Sequence, residues 1–144
     1  MIVVGIDPGI NTGFAIVENG KIMRLETLSF WAAIDAINSL ENALFIVELP
    51  KTRHVWHRGA SNKSAVLKTG MNVGSCIREA ELIIDYLEKT GRNYQQVAPQ
   101  GKISAAYFNK ITGWEGRSNQ HTRDAAMLAL CGECKIKVDN IVLM

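Results

Sequence analysis

Residues 2–6, Ile2-Val3-Val4-Gly5-Ile6, form an apolar, β-branched run that stops at Asp7-Pro8-Gly9. No other stretch limits the possible folds as much. A run without polar alternation, closed by turn formers, reads as a strand buried on both faces. Such strands belong to sheets with helices packed above and below, so the chain is expected to be α/β. Residues 43–49 repeat the pattern, with Ala43-Leu44-Phe45-Ile46-Val47 passing through Glu48 and Leu49 into Pro50.

Between these runs, residues 14–17 and 21–28 read as two further strands, joined by the hairpin signal Asn19-Gly20. Ser29 is suited to cap a helix carrying Trp31, Ala33, Ile34, Ile37 and Leu40 at helical spacing. A helix is expected over 72–89, a strand over 93–98, and helices over 102–111 and 122–130, with a loop over 112–120. Residues 51–69 are polar and basic and read as a long loop. The tail, 135–144, reads as an edge strand. The order β-β-β-α-β-α-β-α-α describes a mixed sheet, opened by a hairpin and flanked by helices.

A chain of 144 residues matches a single domain, 1–144. Its 47% hydrophobic and 21% charged content excludes extended disorder, and three cysteines do not make a disulfide scaffold. No apolar run approaches a membrane span, and the N-terminus lacks a signal-peptide pattern, so a cytoplasmic protein is expected.

Asp7 ends a buried strand and opens a glycine-rich turn, where an unpaired charge would be costly. Carboxyl ends of strands are where α/β folds place ligands. Glu48 repeats the arrangement, and Asp124 lies near the start of an Ala/Leu-rich helix, where the macrodipole favours an anion. If the two strands are neighbours, the acids can share a cation, and oxygen donors suit Mg²⁺ or Mn²⁺. Paired ions would support displacement at a phosphodiester. The plainer alternatives are an Asx-turn at Asp7 and a helix cap at Asp124.

Gly5-Ile6-Asp7-Pro8-Gly9 with Thr12-Gly13-Phe14-Ala15, then Ile46-Val47-Glu48, then His121-x-x-Asp124-Ala125-Ala126, resemble the RuvC-type Holliday junction resolvases. The resemblance spans residues 2 to about 130, and a small phage-type member is the nearest kind in size. It implies an RNase H-like fold and a homodimer that cuts four-way DNA junctions by paired symmetrical nicks, leaving 5′-phosphate ends. It implies Asp7, Glu48 and Asp124 as catalytic, metal-binding carboxylates for Mg²⁺, with Mn²⁺ able to substitute. It also implies a dimer-interface helix starting near Asn72 and basic DNA contacts at Lys102 and Lys110. Many members carry a fourth acid where this chain has His121. Imidazole can ligate metal or act as acid/base, which makes His121 a catalytic and metal-site candidate; the alternative is a surface loop residue.

The net charge of +2 is too small to prove a nucleic-acid partner, but its distribution is uneven. Residues 51–70 carry Lys51, Arg53, Arg58, Lys63 and Lys68 and no acid, with Trp56 between His54 and His57. Cations neutralise phosphates and an indole stacks on an unpaired base, so these residues are candidate DNA contacts; the alternative is a solvated loop. Arg117 and Arg123 add two more candidates. Cys131-Gly132-Glu133-Cys134 with His54 and His57 has the spacing of a zinc site, but the separation is wide. Cys76 is expected in the core. Two rival functions remain: a nucleotide-binding phosphotransferase, since Asp7-x-Gly9-x-x-x-Gly13 also resembles the turn of actin-like ATPases, and a non-catalytic junction-binding protein.

Overall fold

In a computed structural model, the protein is described over residues 1–50 and 63–142, at 63–70, 72–73 and 133–142 by backbone alone. The elements are β1 (Ile2–Asp7), β2 (Thr12–Glu18), β3 (Lys21–Leu28), α1 (Phe30–Asn38), β4 (Ala43–Glu48), α2 (Lys63–Lys89), β5 (Asn93–Val97), α3 (Ala105–Thr112) and α4 (Gln120–Val142). The strands form one mixed sheet in the order β3-β2-β1-β4-β5. The three strands of the hairpin side run antiparallel, while β1, β4 and β5 run parallel. The fold is mixed α/β, as expected, and consistent with the RNase H-like class.

Strand alternation sorts the core into two layers. Val4, Ile6, Phe14, Phe45 and Val47 pack on Ile34 and Ile37 of α1 and on Ile83, Ile84 and Leu87 of α2. Val3, Ala15, Val17 and Ile46 pack on Phe108 of α3 and on Ala125, Ala126, Leu128 and Ala129 of α4. Both faces of β1 and β4 are covered, which is why their sequences show no polar alternation. The hairpin turns at Asn19 and Gly20, both with positive φ.

Helix α4 lies unusually close to the sheet. A Cβ on Gly5 would stand 1.8 Å from the Ala125 carbonyl oxygen, and one on Gly13 would stand 2.1 Å from that of His121. The two glycines let the helix backbone rest on the strands, with small Ala125 and Ala129 facing them.

Two expected elements differ. Helix α2 begins at Lys63 rather than near residue 72, so the 51–69 segment is not a loop throughout. Its basic composition masked helix formers such as Ala65 and Leu67, and Gly70 and Gly74 cost helix stability without ending it. The tail is helical through Val142, not an edge strand. Its apolar residues fit either period, and no turn former other than Gly132, buried within the helix, separates it from residues 122–130. No helix among the described residues is long and apolar enough to cross a membrane.

Candidate active site

Asp7 shares the parity of Val3 and Gly5, and Glu48 that of Ile46, so both acids face α4. Their strands are parallel neighbours with Ile6 opposite Val47, which sets Asp7 and Glu48 side by side at the strand ends. Helix α4 supplies the rest. Asn119 caps it: its Oδ1 accepts from the Thr122 N–H at 2.9 Å, while Thr122 Oγ1 accepts from the Asn119 N–H at 2.9 Å. This reciprocal cap starts the helix at Gln120 and puts His121 and Asp124, three residues apart, on one face toward β1. Asp124 is therefore not the cap, and His121 sits in the first helical turn rather than in a loop.

The four residues line one cleft of about 530 Å³, together with Lys102, Gln100 and Cys76. His121 Nδ1 lies 3.2 Å from Asp7 Oδ2. Gln120 Nε2 donates to Asp124 Oδ1 at 2.7 Å, and Lys102 Nζ stands 3.8 Å from Asp124 Oδ2. The Gln100 N–H donates to Glu48 Oε1 at 3.3 Å. The side chains of Asp7 and Asp124 are only 13% and 15% exposed, so their charges have little water to stabilise them.

Burial raises all three acids above their ordinary values. For Asp7, a hydrogen bond with Glu48 and the Lys102 charge oppose the rise, while the Asp124 charge adds to it. Glu48 is pushed up to about 8 by burial, by sharing a proton with Asp7 and by the Asp7 charge, with Gln100 and Lys102 opposing. Asp124 is raised by burial and by Glu48, with Gln120, Lys102 and His121 opposing. Asp7 and Glu48 therefore hold one proton between them near neutrality.

Among the described residues, no three His, Cys, Asp or Glu side chains enclose an ion as they lie. They pair instead with one another, with Gln120 and with Lys102. The donor chemistry nonetheless fits a hard divalent cation: three carboxylates, each raised by burial, line one cleft.

Of the other candidates, Lys102 joins the cleft, and Lys110 and Arg117 are exposed. Arg123 donates to Ile103 O at 3.2 Å, Ser118 Oγ at 3.2 Å and Gln120 Oε1 at 3.3 Å, so its guanidinium ties the loop before α4 to that helix. Lys51, Arg53, Trp56 and Arg58 lie outside the described residues, as do His54 and His57; Lys63 and Lys68 are described by backbone alone. Cys134 is also described by backbone alone, and Cys131 is exposed. Cys76 is a correction: it is half-buried and lines the cleft, its Sγ 3.7 Å from where a Gly9 Cβ would stand. Gln100 and Gln120 were not anticipated. Gln120 was readable as a residue four before Asp124 on one helix; Gln100 acts through its backbone and left no sequence signal.

No protein-family model matches the chain, and no curated protein matches its sequence.

Proposed function

We propose that the chain is a metal-dependent, structure-selective endonuclease that resolves Holliday junctions and related branched DNA by paired symmetrical nicks. One observation supports this above the others. Asp7, Glu48, His121 and Asp124, from three elements far apart in sequence, line one cleft at the carboxyl ends of two parallel strands. Asp7, Glu48 and Asp124 would hold Mg²⁺, or Mn²⁺ in its place. A cation bound there supplies Lewis-acid charge stabilisation for phosphodiester hydrolysis.

The protein's own residues have separate tasks. Glu48 would give up its shared proton to solvent, leaving its carboxylate free to ligate beside those of Asp7 and Asp124. His121 Nδ1, beside Asp7, is within reach to take or return a proton in the cleft. Lys102 offsets the charge of Asp124 and offers an ammonium to a phosphate entering there. Lys110 and Arg117, with Lys51, Arg53, Trp56, Arg58, Lys63 and Lys68, are the proposed contacts along the DNA arms. One cleft makes one nick, so a homodimer related by a two-fold axis would give the paired cuts a two-fold junction needs. The products would carry 5′-phosphate and 3′-hydroxyl ends.

The test is cleavage of an end-labelled synthetic four-way junction, beside linear duplex of the same length, with Mg²⁺, Mn²⁺ or chelator. Symmetrical nicks that require metal and spare the duplex are expected. Junction binding without cleavage under every metal condition would sink the nuclease reading and leave a binding protein.

A further inference from the structure

The chain from Pro99 to Arg123 holds Lys102, Lys110, Arg117 and Arg123 against a single acid, Glu115. Helix α3 runs through the middle of this segment and starts at the cleft. Lys102, two residues before its Ser104 cap, reaches Asp124, and the Ile103 carbonyl is held by Arg123 of α4. Within α3, Phe108 is fully buried against α4 and the sheet, which fixes the rotation of the helix. That rotation leaves Tyr107 53% exposed and Ile111 46% exposed, one turn apart, with exposed Lys110 beside Tyr107. Two exposed apolar side chains on successive turns, with exposed Lys110 on the same helix and Lys102 just before it at the cleft, make an apolar strip on a helix that begins beside the carboxylates.

We propose that this exposed flank of α3, Tyr107 and Ile111 with Lys102 and Lys110 beside them, binds an unpaired nucleic-acid strand leaving the cleft. The inference deepens the nuclease reading and rests on it. Phosphates along such a strand meet the lysines, while an unstacked base lays its π-face on the phenol ring and the neighbouring Ile111. A fully paired duplex keeps its base faces stacked internally and offers only its phosphates. The strip therefore favours branched DNA with an unpaired segment next to the scissile bond over intact duplex.

The test measures equilibrium binding by fluorescence anisotropy, in chelator, of a labelled oligo-dT strand, a blunt duplex and a four-way junction. The proteins are wild type, Tyr107→Ala, Tyr107→Phe and Lys110→Gln. Tyr107→Ala should weaken the single strand roughly 10- to 100-fold, the range of one base–aromatic stack, and leave the duplex unchanged. Tyr107→Phe keeps the ring and should bind like wild type. Lys110→Gln should reduce the salt dependence of strand binding by about one ion. Because the side chain is exposed, Tyr107→Ala should melt like wild type. Unchanged strand binding by Tyr107→Ala, or equal losses for strand and duplex, overturns the inference. Wild type that binds the strand but cuts no branched DNA overturns the nuclease reading alone. Wild type that binds none of the three DNAs overturns both.

Discussion

Replacing Glu48 by Gln should stabilise the protein while removing its activity, and the stabilisation should depend on pH. In the folded chain the Glu48 carboxyl is pushed from 4.5 up to about 8, chiefly by burial and then by Asp7. An acid with a raised folded value binds its proton more tightly when folded, so the folded state loses stability as pH rises. That loss starts near pH 4.5, grows to about pH 8 and is flat above it, where both states are ionised. At about 1.4 kcal/mol per unit, the ceiling on the cost is roughly 5 kcal/mol. Glu48 is not sealed from solvent and shares its proton with Asp7, so screening should reduce the gain from Glu48→Gln to about 1–2 kcal/mol. For a chain of this size that is about 3–6 °C in Tm. Thermal unfolding of both proteins in chelator at about pH 5 and about pH 8.5 should show near-equal Tm values at the lower pH and a clear gap at the higher. Mg²⁺ should narrow the gap by stabilising wild type alone, since the substitution removes one of the three proposed ligands. A gap of the same size at both pH values, or a less stable Glu48→Gln protein at the higher one, would falsify the account of Glu48 as a strained carboxyl.

Four further outcomes are expected. Asp7→Asn and Asp124→Asn should each lower junction cleavage by more than about 100-fold, beyond the loss typical of residues that only support a ligand, while gel-shift affinity for the junction in chelator is kept. Titration of Mn²⁺ by calorimetry, in two buffers of different ionisation heat, should show proton release below about pH 8 that fades above it, because Glu48 must shed its proton to ligate. Gly5→Ala forces a methyl group onto the Ala125 carbonyl, so it should cost about 3 kcal/mol, seen as a lower urea midpoint. Asn119→Ala removes the side-chain half of the reciprocal cap of α4 and should cost about 1 kcal/mol, lowering Tm by a few degrees and loosening His121 in the first turn.

How far the sequence revealed all this depends on the physical signal each part leaves. The doubly buried strands were plain because covering both faces of β1 and β4 demands an unbroken apolar run, and an acid at the end of such a run stands out. The neighbouring of β1 and β4 is only a condition in the sequence reading, because parallel pairing across a helix leaves no local trace; once it holds, alternation puts Asp7 and Glu48 on the same face. The start of α2 and the end of α4 were missed because composition outweighed periodicity: a basic stretch suggested a loop, and an apolar tail suggested a strand. Cys76 was misplaced for a different reason. It lies one turn before Ala80 on the same stripe as Ile84 and Leu87, so periodicity alone puts it in the core, but at that turn the helix face meets the cleft beside Gly9 rather than the packed sheet. Tyr107 was passed over entirely, since exposure within a short helix is set by which neighbour takes the core, and here Phe108 does. What a sequence exposes most clearly is the residue whose burial is costly, which is why the carboxylates were found. A residue left on the surface bears no such cost and leaves no such mark, so the strip proposed at Tyr107 and Ile111 is legible only in the structure.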